Sequence, residues 1–252
     1  RKKIKKYVRK IMVILPFESE IYKTAGIDVE FVGHPVVDIV KPTMSIEVAF
    51  KEFGLKQGVK TIGIFPGSRE QEVGKLLPMM LEIMKGIKSK IEKVQFIVVL
   101  SDSIKLEQET MRLPRADISA LAITNKEVKV IKGRQYDVMN VSDLIIVASG
   151  TVTLEASIMR TPTIVMYKLN WLSFFIAKML VKIKYISLVN IIENKKIIPE
   201  FVQNFKISDI IDKSVEILQD DKVKDSMKTD LKKVAQKLRV KGVSEMVANI
   251  IL

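Results

Sequence analysis

The residues best suited to chemistry sit in two glycine-bearing turns. Phe65-Pro66-Gly67-Ser68-Arg69 follows the apolar run Thr61-Ile62-Gly63-Ile64, and Ala148-Ser149-Gly150-Thr151 follows Asp143-Leu144-Ile145-Ile146-Val147. A strand that ends in small residues and opens a helix leaves the first backbone N–H groups without intrahelical partners. With the helix dipole behind them, those amides attract an anion. Two such turns in one α/β unit point to a diphosphate held between two helix N-termini, and so to a nucleotide or nucleotide-sugar. Arg69 would add a forked cation there. A cation at a helix start opposes the dipole, and a bound anion resolves that conflict.

Several other chemistries are excluded. Gly67 to Lys75 is not a P-loop: six residues separate Gly67 from Gly74 where that motif needs four, and Leu76 replaces the magnesium-binding Ser/Thr. No GxGxxG follows a strand, so no nicotinamide or flavin cofactor is expected. His34 is the single histidine and has no partner at ligand spacing, so no metal is expected either. With no cysteine, disulfides and thiolate chemistry drop out, which fits a cytoplasmic site. Net charge is +13, from 42 basic and 29 acidic residues, and favours anionic partners. Nucleic acid is disfavoured, because aromatics form 6% of the chain and do not interleave with the basic runs.

The elements that must position these turns follow from hydrophobic period. Lys10–Leu15 reads as a short strand stopped by Pro16, Ile21–Ala25 as a helical turn closed by Gly26, and Val29–Val32 as a strand ending at Gly33-His34-Pro35. A short helix is expected at Ser45–Phe53. From Lys60 onward strands (60–65, 95–100, 121–123, 128–131, 143–147, 163–166) alternate with helices (70–88, 104–112, 134–140, 151–159). That alternation predicts a doubly wound, Rossmann-like parallel sheet covered on both faces, with ligands beyond its carboxyl ends. Residues 208–252 have helical periodicity broken at Gly242. The apolar stretch Trp171–Ile192 contains Lys178, Lys182 and Lys184, each costing roughly 2.5–3.5 kcal/mol in hydrocarbon. It therefore reads as an amphipathic helix, packed on its own domain or lying on a bilayer surface.

The parts combine into one pattern. Ile14-Leu15-Pro16-Phe17-Glu18 precedes Tyr22, and Val32-Gly33-His34-Pro35 follows. Pro66-Gly67-Ser68-Arg69 leads to Glu72-Val73 and Leu76-Leu77-Pro78. Ser149-Gly150-Thr151-Val152-Thr153-Leu154-Glu155 leads to Pro162 and Val165-Met166-Tyr167. From about Ile11 to Gln203 this set resembles the lipid-A-disaccharide synthase family, glycosyltransferases that join two acylated glucosamines. The resemblance implies a GT-B architecture of two Rossmann-like domains, the second binding a UDP-sugar. Residues 1–40 then read as the end of an acceptor-side domain, 41–58 as a connection, 59–205 as the UDP-sugar domain and 206–252 as C-terminal helices. The chain opens at Arg1 with only two short strands ahead of the connection, and we expect that most of the first domain, including the general base, is missing.

The resemblance also implies roles. Gly67, Ser68, Arg69, Ser149, Gly150 and Thr151 would hold the diphosphate. Glu155 would take the ribose hydroxyls; its ordinary alternative is an acid that stabilises the helix dipole. The segment Arg134 to Val138, at the neighbouring strand end, would hold the uracil edge, with Arg134 as its named candidate. Asn190, Glu200 and Gln203 would contact the sugar or its phosphates, with ordinary surface roles as the alternative; Val189 replaces a usual proline there. His34 is a catalytic candidate near the cleft. The implied reaction is transfer from a UDP-linked acylated glucosamine to an acylated glucosamine 1-phosphate, at the cytoplasmic side of the inner-membrane surface, with a homodimer through the C-terminal helices. Another GT-B enzyme of UDP-N-acetylhexosamines, a 2-epimerase or the peptidoglycan-precursor transferase, and a non-catalytic membrane-associated remnant stay open as alternatives.

Overall fold

A computed structural model of the 252-residue chain describes residues 2–102, 104, 128–168, 184–240 and 242–251. In chain order the elements are α1 (Lys2–Tyr7), β1 (Ile11–Val13), α2 (Pro16–Thr24), β2 (Val29–Phe31), α3 (Val36–Ile39), α4 (Ile46–Glu52), β3 (Lys60–Phe65), α5 (Glu70–Lys90) and β4 (Val94–Leu100). They continue with β5 (Val128–Lys132), α6 (Gln135–Val141), β6 (Leu144–Ala148), α7 (Val152–Met159), β7 (Thr163–Tyr167), α8 (Leu188–Glu193), β8 (Glu200–Val202), α9 (Ile207–Gln219), α10 (Asp221–Leu238) and α11 (Val243–Ile251).

The central sheet is parallel, in the order β5-β4-β3-β6-β7-β8. That is the 3-2-1-4-5-6 arrangement of a Rossmann sheet, whose direction of growth reverses between its first and fourth strands. Here the reversal falls between β3 and β6, the two strands that end in the glycine turns. Both are almost wholly buried, β3 through Thr61, Ile62, Gly63, Ile64 and Phe65 and β6 through Leu144-Ile145-Ile146-Val147-Ala148, as a strand covered on each face requires. Helix α5 supplies one cover through Val73, Leu76, Leu77, Met80, Ile83, Met84 and Ile87, spaced to line one helical face. Helix α9 packs on α5, and α10 packs on α7.

A separate parallel pair, β1 with β2, carries the first 40 residues. The end of α10 returns to it: the His34 N–H donates to the Leu238 carbonyl at 3.3 Å. Gly33, at φ +86°, is so close to Val240 that a Cβ there would lie 2.6 Å from the valine Cβ. The C-terminal helices therefore fold back on their own chain. The connection is fastened as well. Buried Asp137 on α6 accepts from Thr43 N–H (2.6 Å), Thr43 Oγ1 (2.7 Å) and Met44 N–H (3.1 Å).

Three local expectations need adjustment. Pro16 does not merely stop a strand; it begins α2, because at the first helical turn proline's missing N–H costs no hydrogen bond. Helix α2 therefore starts five residues ahead of the expected turn at Ile21. Glu200–Val202, within the segment expected to contact the sugar, forms the short edge strand β8. The expected helix at Trp171–Ile192 falls mostly outside the described residues, as do the helix at 104–112 and the strand at 121–123. Where description resumes, residues 184–187 are not helical, and Ser187 caps a new helix, α8, through Asn190 N–H. An unbroken helix to Ile192 is excluded. Among the described residues no helix is long and apolar enough to cross a membrane.

Candidate functional site

Register places the two glycine turns side by side. Phe65 of β3 pairs with Val147 of β6, so Gly67 and Ser149, each two residues on, leave adjacent sheet ends together. Between them lies a hollow of about 300 Å³, walled by Gly67, Ser68, Ser149, Gly150, Thr151 and Glu155 among others. Neither helix that opens here, α5 from Arg69 or α7 from Thr151, is capped by a side chain. Their N-terminal amide fields stay available to an anion in the hollow. The turns differ in stringency. Gly67 has φ +121°, and a Cβ would meet Glu72 Oε2 at 2.7 Å, whereas a Cβ on Gly150 would meet nothing within 4 Å.

The walls beyond the turns are the ends of β4 and β5. Val99, Leu100, Ser101 and Asp102 close one side, with Gly133 and Gln135 beside them. Three carboxylates therefore face the hollow: Glu72, Asp102 and Glu155. Glu155 is half-buried, and desolvation raises its pKa above the usual carboxylate range. Tyr136 is likewise raised, by burial first and by the Glu155 charge second. Among the described residues no cation pairs with Glu155, and such a desolvated carboxylate accepts from donors of the kind that sugar hydroxyls supply. Glu72 stands in the motif after Arg69 with no role assigned to it, and Gln135 lies in the segment 134–138 expected near the uracil; Asp102 has no place in the sequence reading. Asp102 could have been found by asking which polar residue follows each strand's carboxyl end.

Other candidate side chains lie elsewhere. Arg69 is 82% exposed and pairs with Glu72 at 3.3 Å, within reach of the hollow but not in its wall. Arg134 is the left-handed residue that starts α6, at φ 55°. Its side chain turns to the connection, donating to Thr43 Oγ1 at 3.1 Å and pairing with Glu52 at 3.6 Å. The expected contact with a base edge is thus not its placement here; the neighbouring Gly133 and Gln135 wall the hollow instead.

Asn190 and Glu200 form a buried knot. Asn190 Nδ2 donates to the Ile198 carbonyl and to Glu200 Oε1, both at 2.9 Å, and its Oδ1 accepts from Ile197 and Ile198 N–H. Glu200 also accepts from Ile186 N–H, Ser187 N–H and Ser187 Oγ. These side chains are held by α8 and its return to β8, in a buried role rather than the surface role that was the alternative. Gln203, left-handed at φ 60°, bonds through its N–H to the Tyr167 carbonyl at the end of β7. His34 is buried, and its Nδ1 accepts from Val36 N–H at 3.1 Å, which puts a neutral ring's proton on Nε2. Desolvation lowers its pKa, with Glu18 opposing.

The fold has relatives among solved structures. The chain aligns with Anabaena HepE in complex with UDP-glucose at a TM-score of 0.56 and 14% identity, over 99% of this chain and 65% of that one. With a protein described as a UDP-N-acetylglucosamine 2-epimerase from Listeria monocytogenes the TM-score is 0.63 at 16% identity, over 94% and 57% of the two chains. Such identities speak to the GT-B type of fold alone. Sequence relatives are more specific. The lipid-A-disaccharide synthase of Geobacter sulfurreducens is 37% identical over 253 residues, covering 100% of this chain and 64% of the relative. That of Persephonella marina is 37% identical over 254 residues, covering 99% and 66%. The chain thus spans less than two thirds of the length of these relatives. Residues 1–251 match the family model described as lipid-A-disaccharide synthetase. With both glycine turns, the Glu155 helix and the Rossmann strand order arranged as that resemblance implies, the chain belongs to the lipid-A-disaccharide synthetase family.

Proposed function

We propose that the hollow between β3 and β6 holds the UDP of an acylated glucosamine donor, and that the protein serves an inverting glycosyl transfer. The product would be a β-1,6-linked disaccharide 1-phosphate, formed from UDP-2,3-diacylglucosamine and 2,3-diacylglucosamine 1-phosphate. The observation that supports this most is the convergence of both glycine turns and Glu155 on one hollow, in a chain of this family. In this reading the amides of Gly67, Ser68, Gly150 and Thr151 hold the diphosphate, with Ser149 holding the second turn in place. The ribose hydroxyls donate to Glu155. Arg69 leaves Glu72 for the phosphates.

As the anomeric C–O bond breaks, its electron pair moves onto the departing UDP. The acceptor 6-hydroxyl oxygen closes on the opposite face, and its proton goes to a base. Amide donors aimed at the departing phosphate oppose that growing charge, each worth ~2.7–4 kcal/mol where measured in comparable sites. We place this chemistry at the inner-membrane surface on the cytoplasmic side, supported by the family and the net charge of +13. Self-association through the C-terminal helices would have to use α11 and the outer faces of α9 and α10, since their inner faces cover this chain.

Calorimetric titration with UDP tests the reading. Arg69→Ala and Glu155→Ala should each weaken binding; unchanged affinity in both would remove the assignment, as would no heat for the unaltered chain at millimolar UDP.

A further inference from the structure

The hollow has an electrostatic oddity for a diphosphate site. Among the described residues its walls contain Glu72, Asp102 and Glu155 but no Lys or Arg. Glu72 stands closest to the amide cradle: its Oε2 lies 2.7 Å from where a Cβ on Gly67 would sit. Its other oxygen, Oε1, holds the Arg69 guanidinium at 3.3 Å. So the Arg69 guanidinium is already shared with an acid, and that acid leans over the seat proposed for the diphosphate. Asp102 is on the far side, 3.3 Å from a Cβ position on Gly133.

We propose that Glu72 sets charge specificity at the diphosphate end, making the hollow prefer a diphosphate esterified to a sugar over free UDP and over UTP. This rests on the nucleotide reading above. An esterified terminal phosphate carries one negative charge; a free one carries most of a second near neutral pH, since that proton leaves with a pKa of about 6. UTP adds another charged phosphate. Each extra charge meets the Glu72 carboxylate at short range, where unit charges about 4 Å apart repel by ~1 kcal/mol even at the dielectric of water, or about fivefold in affinity. Arg69 can leave for the phosphate, but doing so exposes Glu72 unpaired beside the same anion.

The test is a calorimetric series on the 252-residue chain with UDP-N-acetylglucosamine, UDP and UTP, repeated on Glu72→Gln and Asp102→Asn. For the unaltered chain affinity should fall in that ligand order, by about fivefold per step, and the steps should shrink with added salt. In Glu72→Gln they should nearly vanish, whereas Asp102→Asn, at the far wall, should leave them in place. Steps that survive Glu72→Gln come from ligand length rather than charge and overturn the proposal. So does tightest binding of UTP by the unaltered chain, a result that needs no variant to fold. If none of the three ligands binds, the nucleotide reading itself falls.

Discussion

Gly150→Ala separates the ligand seat from the fold more cleanly than any other single change. A Cβ at this position meets no heavy atom within 4 Å, and the residue's φ lies outside the range that penalises an L side chain. The substitution therefore has neither a steric nor a backbone cost in the empty protein. Restricting the unfolded chain should even stabilise it, by about 0.4–1 kcal/mol where the native conformation suits alanine. For a chain of this size that corresponds to roughly 1–4 °C in Tm. Gly150 also lines the hollow, however, so under the proposed placement the added methyl group crowds a phosphate approaching the Gly150 and Thr151 amides. Losing one hydrogen bond to a charged group costs ~1.5–3 kcal/mol, or roughly 10- to 150-fold in affinity. Differential scanning fluorimetry and UDP titration on the same preparation read both quantities. A stable variant with affinity reduced at least tenfold is the expected outcome. Undiminished UDP affinity would refute the placement of the phosphates, and a melt lowered by several degrees would refute the open-space argument. Gly67→Ala makes the contrast, because φ +121° and the nearby Glu72 side chain predict loss of stability and binding together.

Glu155→Gln should raise thermal stability near neutral pH while weakening UDP binding. The raised pKa means that folding favours the protonated carboxyl, so this group's contribution is greatest below its ordinary range and is lost as pH rises through the raised value. A melt lower than that of the unaltered protein would contradict it. Asn190→Ala should destabilise by about 3 kcal/mol or more, because the N–H groups of Ile197 and Ile198 lose a buried acceptor. Urea denaturation measures this, and an unchanged midpoint would return Asn190 to the ligand. His34 has the opposite sign to Glu155: its lowered pKa gives stability that is full above its ordinary value and lost as pH falls through the lowered one. The difference between the melts of His34→Gln and the unaltered chain should narrow as pH falls through the lowered His34 pKa; a constant difference across pH would show that the ring does not titrate in this way.

What the linear sequence determined was the order and kind of most elements, and with them the two glycine turns proposed to seat an anion. Ile/Val runs of strand length ending in Gly-Ser pairs are a local signal, because the strand, the small-residue turn and the helix start all lie within about a dozen residues. Parallel pairing then had to bring the carboxyl ends together, and the Phe65–Val147 register did so. Pairing beyond that range was decided by tertiary structure. That Asn190 and Glu200 saturate one another depends on α8 folding back to β8, and that Arg134 turns toward Thr43 depends on a partner 91 residues away. Asp102 became a wall of the hollow only when the end of β4 was set beside Gly133, 31 residues on. A polar side chain's type states which bonds it can make; which of them it does make is fixed by what the fold leaves within three ångströms or so of its atoms.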